Sequence, residues 1–372
     1  MTKDQEKVIA LVQLQIEPDE TVDEGKIKEL VEFFRNLIYL SEEEAAETIA
    51  ELQSKLAVKM DRGSFVKEKN HVSWYYAAKG KINHKFWNRY STYLYKDASF
   101  NSDVINSIDV ATDEMMDLLS NPNEATAFQR RGLVIGDVQS GKTSTYLALM
   151  NKAADAGYHI IILLTGTIEK LRRQTQGRTD EGFVGLDSTA FNKNKDNVFV
   201  GVGKIDRSVS GWAVTSTTSD FNTATASKLS GQLSSISDPV VFVLKKNKSV
   251  LEKLENWLRL FNRNPSTGTI DSPLLLIDDE ADNASVSTKP GEDPTTINKN
   301  IRKILKLFSK ASYVGFTATP FANIFIDPDS TQEMLGDDLF PRDFIICLRG
   351  TNKLYWSCFY FSGRSKISFY VA

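Results

Sequence analysis

The sequence predicts an α/β fold, a mostly parallel β-sheet covered by helices and preceded by an N-terminal helical module. Three observations carry this prediction. Short apolar runs recur from residue 132 onward with helical stretches between several of them, the alternation that sets parallel strands between two layers of helix. The first run leads through a glycine loop straight into a helix. The first 120 residues read instead as amphipathic helices and an aromatic-rich stretch.

With 372 residues, 41% of them hydrophobic and 25% charged, the chain has material for two domains or one large one. A net charge of −3 argues against a protein that coats nucleic acid, while leaving room for a local basic channel. Cys347 and Cys358 form no metal-ligand pattern, alone or with His71, His84 and His159. The residues after Met1 lack the apolar centre of a signal peptide, and no run approaches the ~18 apolar residues of a membrane span. Few cysteines fit a reducing compartment. The expectation is a cytoplasmic chain with no membrane partner.

Residues 24 to about 60 read as two amphipathic helices. The first carries Ile27, Leu30, Val31, Phe33, Phe34 and Leu37 at helical spacing. The second opens on a capping box, Ser41 with Glu44, and continues through Ala45, Ile49, Leu52 and Leu56. From Ser64 to Tyr95 aromatics such as Trp74, Tyr75, Phe86, Trp87 and Tyr90 alternate with lysines. That mixture suits a stacking surface for single-stranded nucleic acid. Large aromatic surfaces are more often buried, so we expect a core that docks the N-terminal helices on the next domain. A further helix spans 103–119, ended by Ser120-Asn121-Pro122-Asn123.

Gly136-Asp137-Val138-Gln139-Ser140-Gly141-Lys142-Thr143 then matches G-x-x-x-x-G-K-[ST], the phosphate loop of nucleoside triphosphatases. It follows the apolar run Gly132–Ile135 and opens a helix to Ala156, so backbone amides and a helix N-terminus converge on one anion. Gly136 and Gly141 keep Cβ atoms out of the turns. Gln139, Ser140 and Ser144 complete the cradle, Lys142 reaches the β- and γ-phosphates, and Thr143 holds Mg2+. After the C-capping Gly157 come apolar runs at 158–164, 198–202, 240–244, 274–277 and 312–316, read as strands. Helices at 249–261 and 296–308 separate the later ones, and 207–238 reads as a surface excursion.

The 274–277 run ends in Asp278-Asp279-Glu280-Ala281-Asp282. Carboxylates at the C-terminal end of a buried strand lie at the ligand-binding edge of such a sheet. Asp279 would hold Mg2+ or its waters, and Glu280 would polarise the water that attacks the γ-phosphate. Asp278 competes with Asp279 for the metal role. The last run ends in Thr317-Ala318-Thr319-Pro320, and the second in Thr165-Gly166-Thr167 followed by Leu171-Arg172-Arg173-Gln174. The latter reads equally as a backbone-binding segment for nucleic acid, with Thr167, Arg172, Arg173 and Gln174 as contacts, or as a capped helix with surface arginines.

In this order the motifs resemble superfamily-two helicase and translocase motors, and among them the Z-one domain family of bacterial proteins, often labelled endonucleases. The resemblance is carried by 130–143, by 164–176, by Val314–Asn323 and by Asp338–Ile345. It implies a RecA-like lobe that binds ATP and Mg2+ and acts on nucleic acid, with DNA expected, commonly alongside other subunits of a restriction or phage-defence system. Thr317 and Thr319 would couple the nucleotide site to movement. The implied division is a helical, aromatic-rich module over 1–120, the motor lobe over 121–346 and an atypical tail over 347–372.

That tail lacks the arginine-bearing motif of a second motor lobe and reads as a truncated or frame-shifted end. This chain alone is therefore expected to bind ATP weakly and to show little nucleic-acid-stimulated hydrolysis. No nuclease centre of the D…E-x-K type is present, so the endonuclease label rests on the resemblance. Two rival readings are an ATP-gated nuclease subunit, favoured by Mg2+-dependent nicking without ATP, and a nucleotide-binding scaffold of a defence complex. Lys142→Ala should weaken binding of ATP–Mg2+ markedly, measured by titrating a fluorescent ATP analogue. Equal affinity in both proteins would remove the phosphate-loop assignment.

Overall fold

The computed structural model describes residues 2–15, 24–56, 64–68, 71–136, 141–189, 198–222, 233–285, 295–319, 331–332, 336–339, 341–348 and 369–371. Three helices come first: α1 (Lys3–Leu14), α2 (Glu24–Arg35) and α3 (Glu42–Leu56). The first had no counterpart in the sequence reading. Thr2 caps it by accepting from the Gln5 amide at 3.3 Å while the Gln5 side chain accepts from the Thr2 amide at 2.6 Å. The expected Ser41–Glu44 box caps α3, with its two bonds at 3.0 and 3.2 Å. Val8, Val12, Ile27, Val31, Ala45 and Leu52 form a separate small core between the three helices. Phe33 and Leu37 are exposed, so the buried stripe of α2 is narrower than its apolar spacing implied.

Strand β1 (Ser64–Glu68) and helices α4 (Tyr75–Lys79), α5 (Lys85–Lys96) and α6 (Ser102–Leu118) follow. Tyr75, Phe86, Trp87 and Tyr90 are buried, as a core reading requires. Their partner differs from the one expected. They pack with Met115, Leu147 and Phe183 in the core of the sheet, and α1–α3 keep to their own.

The remaining elements are β2 (Phe128–Ile135), α7 (Lys142–Ala156), β3 (Ile160–Thr165), α8 (Glu169–Thr179), α9 (Val202–Ile205), β4 (Trp212–Ala213), β5 (Val240–Lys245), α10 (Lys248–Phe261), β6 (Leu274–Asp279), α11 (Thr296–Lys306), β7 (Lys310–Thr317), β8 (Thr331–Gln332), β9 (Gly336–Asp337), β10 (Phe344–Cys347) and β11 (Phe369–Val371). Among the described residues one sheet runs β11-β1-β10-β2-β7-β6-β3-β5-β4. Every pairing from β10 to β4 is parallel, and β1 is antiparallel to both of its neighbours. The strands alternate between two cores, as the two-residue period of a strand demands. Ile161, Leu163, Val241 and Val243 face α6 and α7, whereas Ile160, Ile162, Val240 and Phe242 face α10 and α11. The mostly parallel α/β lobe behind an N-terminal helical region is therefore the observed architecture.

Two local expectations change. The 198–202 run does not enter the sheet: Phe199 makes an isolated bridge to Leu186 and Val202 opens α9. Gly201 turns the chain there at φ 46°, and a Cβ on it would lie 2.1 Å from the Glu181 carbonyl oxygen. The excursion from 207 to 238 is partly structural, since β4 pairs with β5 and Phe221 packs against Phe242 and Trp257. Gly132 is required by a close approach, because a Cβ would fall 2.0 Å from the buried Phe344 ring. Among the described residues no helix is long and apolar enough to cross a membrane.

Asp180 closes α8 and begins a single π-type turn, Asp180–Val184. Burial pushes its carboxyl up from 3.8 to about 7, against hydrogen bonds from Ser188 and Gln176. The fold thus retains a proton that the unfolded chain has already lost. This stabilisation is complete below pH 4 and disappears as pH rises through about 7. Burial shifts Asp155 and Asp279 in the same direction, to about 6. Asp180→Asn should therefore flatten, without abolishing, the fall in urea midpoint between pH 4 and 8. An unchanged slope would show that Asp180 ionises normally.

Candidate nucleotide site

Four strands that are neighbours in the sheet, β2, β7, β6 and β3, each end in one of the sequence motifs. Because they are parallel, all four motifs emerge at one edge. Ile135 is in register with Thr317, Asp279 with Phe316, and Leu164 with Asp278. Beyond the last strand pair the Gly136 amide donates to the Thr317 carbonyl at 3.0 Å, tying the start of the glycine loop to the threonine motif.

Gln139 and Ser140 lie outside the described residues, as do Asp137 and Val138. Gly141 is the N-cap of α7 at φ 64°, a left-handed conformation that favours glycine. Lys142, Thr143 and Ser144 form the first turn of α7, so their orphan amides open toward the sheet edge. Lys142 makes no ion pair among the described residues. It nonetheless lies close enough to Asp279 to favour the ionised carboxylate.

The acidic turn sorts itself by strand alternation. Asp278 faces the interior, paired with Lys246 at 2.8 Å, both side chains fully buried. It also accepts from the Tyr313 hydroxyl at 2.8 Å. Burial and the neighbouring Asp278 push the Tyr313 hydroxyl's pKa well up, keeping it a donor. Asp279 lies on the other face, where burial raises its pKa to about 6 and the Lys142 charge opposes that rise. Of the two competitors, Asp279 is the one on the side of the glycine loop.

Glu280 is exposed and sits at φ 55°, a left-handed conformation that costs a non-glycine residue about 1 kcal/mol or more. Its carbonyl and that of Asn283 both accept from Lys246 Nζ, which holds the turn in shape. Its carboxylate lies over Gly166, where a Cβ would come within 3.0 Å of Oε2. Asp282 accepts from Thr317 Oγ1 at 2.7 Å and from Thr319 Oγ1. The two threonines therefore grip the acidic turn directly.

The segment after β3 splits. Thr167, Arg173 and Gln174 are exposed. Arg172 is not, which corrects its reading as a surface contact for nucleic acid. Its guanidinium is fully buried, donating to Glu169 at 2.7 Å and to the Ser216 carbonyl at 2.9 Å. Although burial raises its pKa, the bonds from Arg172 and Lys245 hold Glu169 down at about 2.

The donor set suits a magnesium nucleotide. Among the described residues no three of His, Cys, Asp or Glu converge as a metal cluster. Mg2+ in phosphate-transfer sites takes few protein ligands and fills its shell with phosphate and water. One hydroxyl, Thr143, and one carboxylate, Asp279, beside Lys142 at a helix N-terminus meet that requirement. Lys246, Tyr313 and Arg178 take part in this edge without having been singled out. The only signal for Lys246 was a basic pair directly after an apolar strand.

Residues 101–322, more than half of the chain, match the family model described as type III restriction enzyme, res subunit. The span contains all four motifs. Comparison with curated proteins gives no match. Glu280→Gln should keep nucleotide affinity and lower any phosphate release roughly 10²–10⁴-fold, the usual contribution of a positioned base. Asp279→Asn should weaken the Mg2+ dependence of binding. Asp278→Asn should chiefly destabilise the fold, by about 3–5 kcal/mol, by stranding the buried Lys246. Loss of Mg2+ dependence in the Asp278 variant alone would shift the register of the acidic turn by one residue.

Proposed function

The chain belongs to the family of type III restriction enzyme res subunits, and from that premise we propose that it is an ATP-hydrolysing, helicase-like motor lobe that acts on DNA. Membership makes the helicase-like P-loop ATPase class the starting point. Bound ATP and Mg2+ supply the transferable phosphoryl group and the charge that neutralises it. Lys142 would bind the β- and γ-phosphate oxygens, Thr143 Oγ1 and the Asp279 carboxylate would hold the metal, and Gly136, Gln139, Ser140, Gly141 and Ser144 would complete the cradle. Glu280 would polarise the attacking water. Thr167, Arg173 and Gln174 offer a DNA strand one hydroxyl, one cation and one amide.

The observation that carries this reading is the double grip of Thr317 and Thr319 on Asp282, with Gly136 bonded to the Thr317 carbonyl. A site that only stored nucleotide has no need to tie its phosphate loop and acidic turn to a third segment. We place the working boundary of the helical module between α3 and α4, because α4–α6 share the core of the lobe. Kinship with the Z-one proteins, participation in restriction or phage defence, and partner subunits belong to the same proposal.

Coupling between two ligands is reciprocal, so nucleotide and DNA must change each other's affinity, by roughly fivefold or more in typical cases. Fluorescence anisotropy of labelled duplex and single-stranded DNA, with and without a non-hydrolysable ATP analogue, measures this. Thr319→Ala should keep both affinities and lose the linkage. DNA affinity indifferent to bound analogue in the unmodified protein would favour a nucleotide-binding scaffold over a motor.

A further inference from the structure

Arg178, in the last turn of α8, reaches two groups that are distant in sequence. Its Nη1 donates to Thr143 Oγ1 at 3.2 Å and its Nη2 to Glu51 Oε2 of α3 at 3.3 Å. Arg178 is 48% exposed and Glu51 23%. An ion pair that only docked α3 on α8 would need the Glu51 contact alone. The second arm of the guanidinium rests instead on the hydroxyl assigned to the metal. Thr143 stands one helical turn before the buried Tyr146, whose ring packs edge-on against Phe316 at 5.9 Å, next to Thr317.

Two cations cannot share one hydroxyl oxygen comfortably. A magnesium ion on Thr143 Oγ1 and a guanidinium donating to the same atom would lie a few ångströms apart in a partly buried place, where repulsion is poorly screened. A metal held by Thr143 would therefore disfavour the Arg178–Thr143 hydrogen bond. Arginine carries only donors, in a planar fork matched to phosphate oxygens. A nucleotide at the α7 N-terminus would add its phosphates to the anions at that edge.

We propose that Arg178 is a phosphate-contacting residue supplied from within the lobe, held between Glu51 and Thr143 when no nucleotide is bound and moving to the terminal phosphate of a magnesium-bound nucleoside triphosphate. The Glu51–Arg178 pair then links α3 to nucleotide occupancy. This rests on the nucleotide-site reading above and adds to it a residue that distinguishes tri- from diphosphate.

The test uses the full chain and titrates fluorescent analogues of ATP and ADP with Mg2+ into the unmodified protein and into Arg178→Ala, Arg178→Lys, Glu51→Gln and Lys142→Ala. Loss of one charge-assisted contact should weaken ATP binding by Arg178→Ala roughly 10- to 100-fold and leave ADP binding nearly unchanged. Arg178→Lys should recover part of the ATP affinity, and Glu51→Gln should bind ATP at least as tightly as the unmodified protein. Equal losses for ATP and ADP, or a Glu51→Gln defect matching that of Arg178→Ala, would reduce Arg178 to a docking residue and overturn the proposal. Lys142→Ala should lose both nucleotides. If it binds both normally, the nucleotide site itself is wrong and the proposal falls with it.

Discussion

Lys246 and Asp278 meet in the interior with both side chains sealed from solvent, and much of the sheet edge depends on that contact. Such a pair adds little net stability, because desolvating both charges offsets most of their attraction. Its value lies in what it fixes. Lys246 extends from the end of β5, Asp278 from β6, and Tyr313 from β7 completes the shell around the carboxylate. The ammonium also binds the carbonyls of Glu280 and Asn283, so it shapes the turn that follows β6. One carboxylate of the acidic run is consumed internally, and the others are aimed.

The aim of each follows from that anchor. Strand alternation sends Asp279 to the face opposite Asp278, toward Lys142. The left-handed backbone at Glu280 lifts its side chain over Gly166, which has no Cβ to obstruct it. The chain then returns so that the Ala281 amide donates to the Phe316 carbonyl at 2.9 Å, and Asp282 arrives between the two threonines. Gly315 permits this closeness, since a Cβ there would stand 2.9 Å from that of Ala281. Left-handed strain at Glu280 persists because the bonds on either side of it leave the turn no other course.

What the sequence made legible was whatever depends on local pattern. Apolar runs alternating with helices gave the parallel sheet, and the glycine loop and acidic turn fell at strand ends because such motifs are contiguous. The failures have a common cause. Arg172 resembles any arginine on a polar helix, and Glu169 together with the distant Ser216 carbonyl and Asp220 draws it inside. The 198–202 run has strand composition, yet Gly201 turns it against the Glu181 carbonyl. The helix α1 has only four buried residues, so its periodic signal was faint beside the charges around it. The aromatic stretch was recognisable as core, but its composition could not say which surface it would cover. For Arg172, Gly201 and the aromatic stretch, groups outside the local pattern decided the outcome.

The same distance effect explains why α3 bears on the candidate site although its sequence carries no chemistry. Its own core faces α1 and α2, which leaves a flank rich in glutamates free to meet α8. Thr2, Gln5, Ser41, Glu43, Glu44 and Glu47 line one cleft with Lys170 and Gln174 of α8. The exposed pairing of Lys170 with Glu43 at 3.8 Å contributes little by itself. Arg178 is different in kind, because its second contact is a hydroxyl of the phosphate-loop helix. Among the described residues the helical module shares no apolar core with the lobe and meets it through polar contacts, so a shift between them costs little. Such a shift would be felt at the guanidinium that touches Glu51 and Thr143 together. A helix that sequence assigns only to packing is thereby one side chain away from the atoms that would hold the metal.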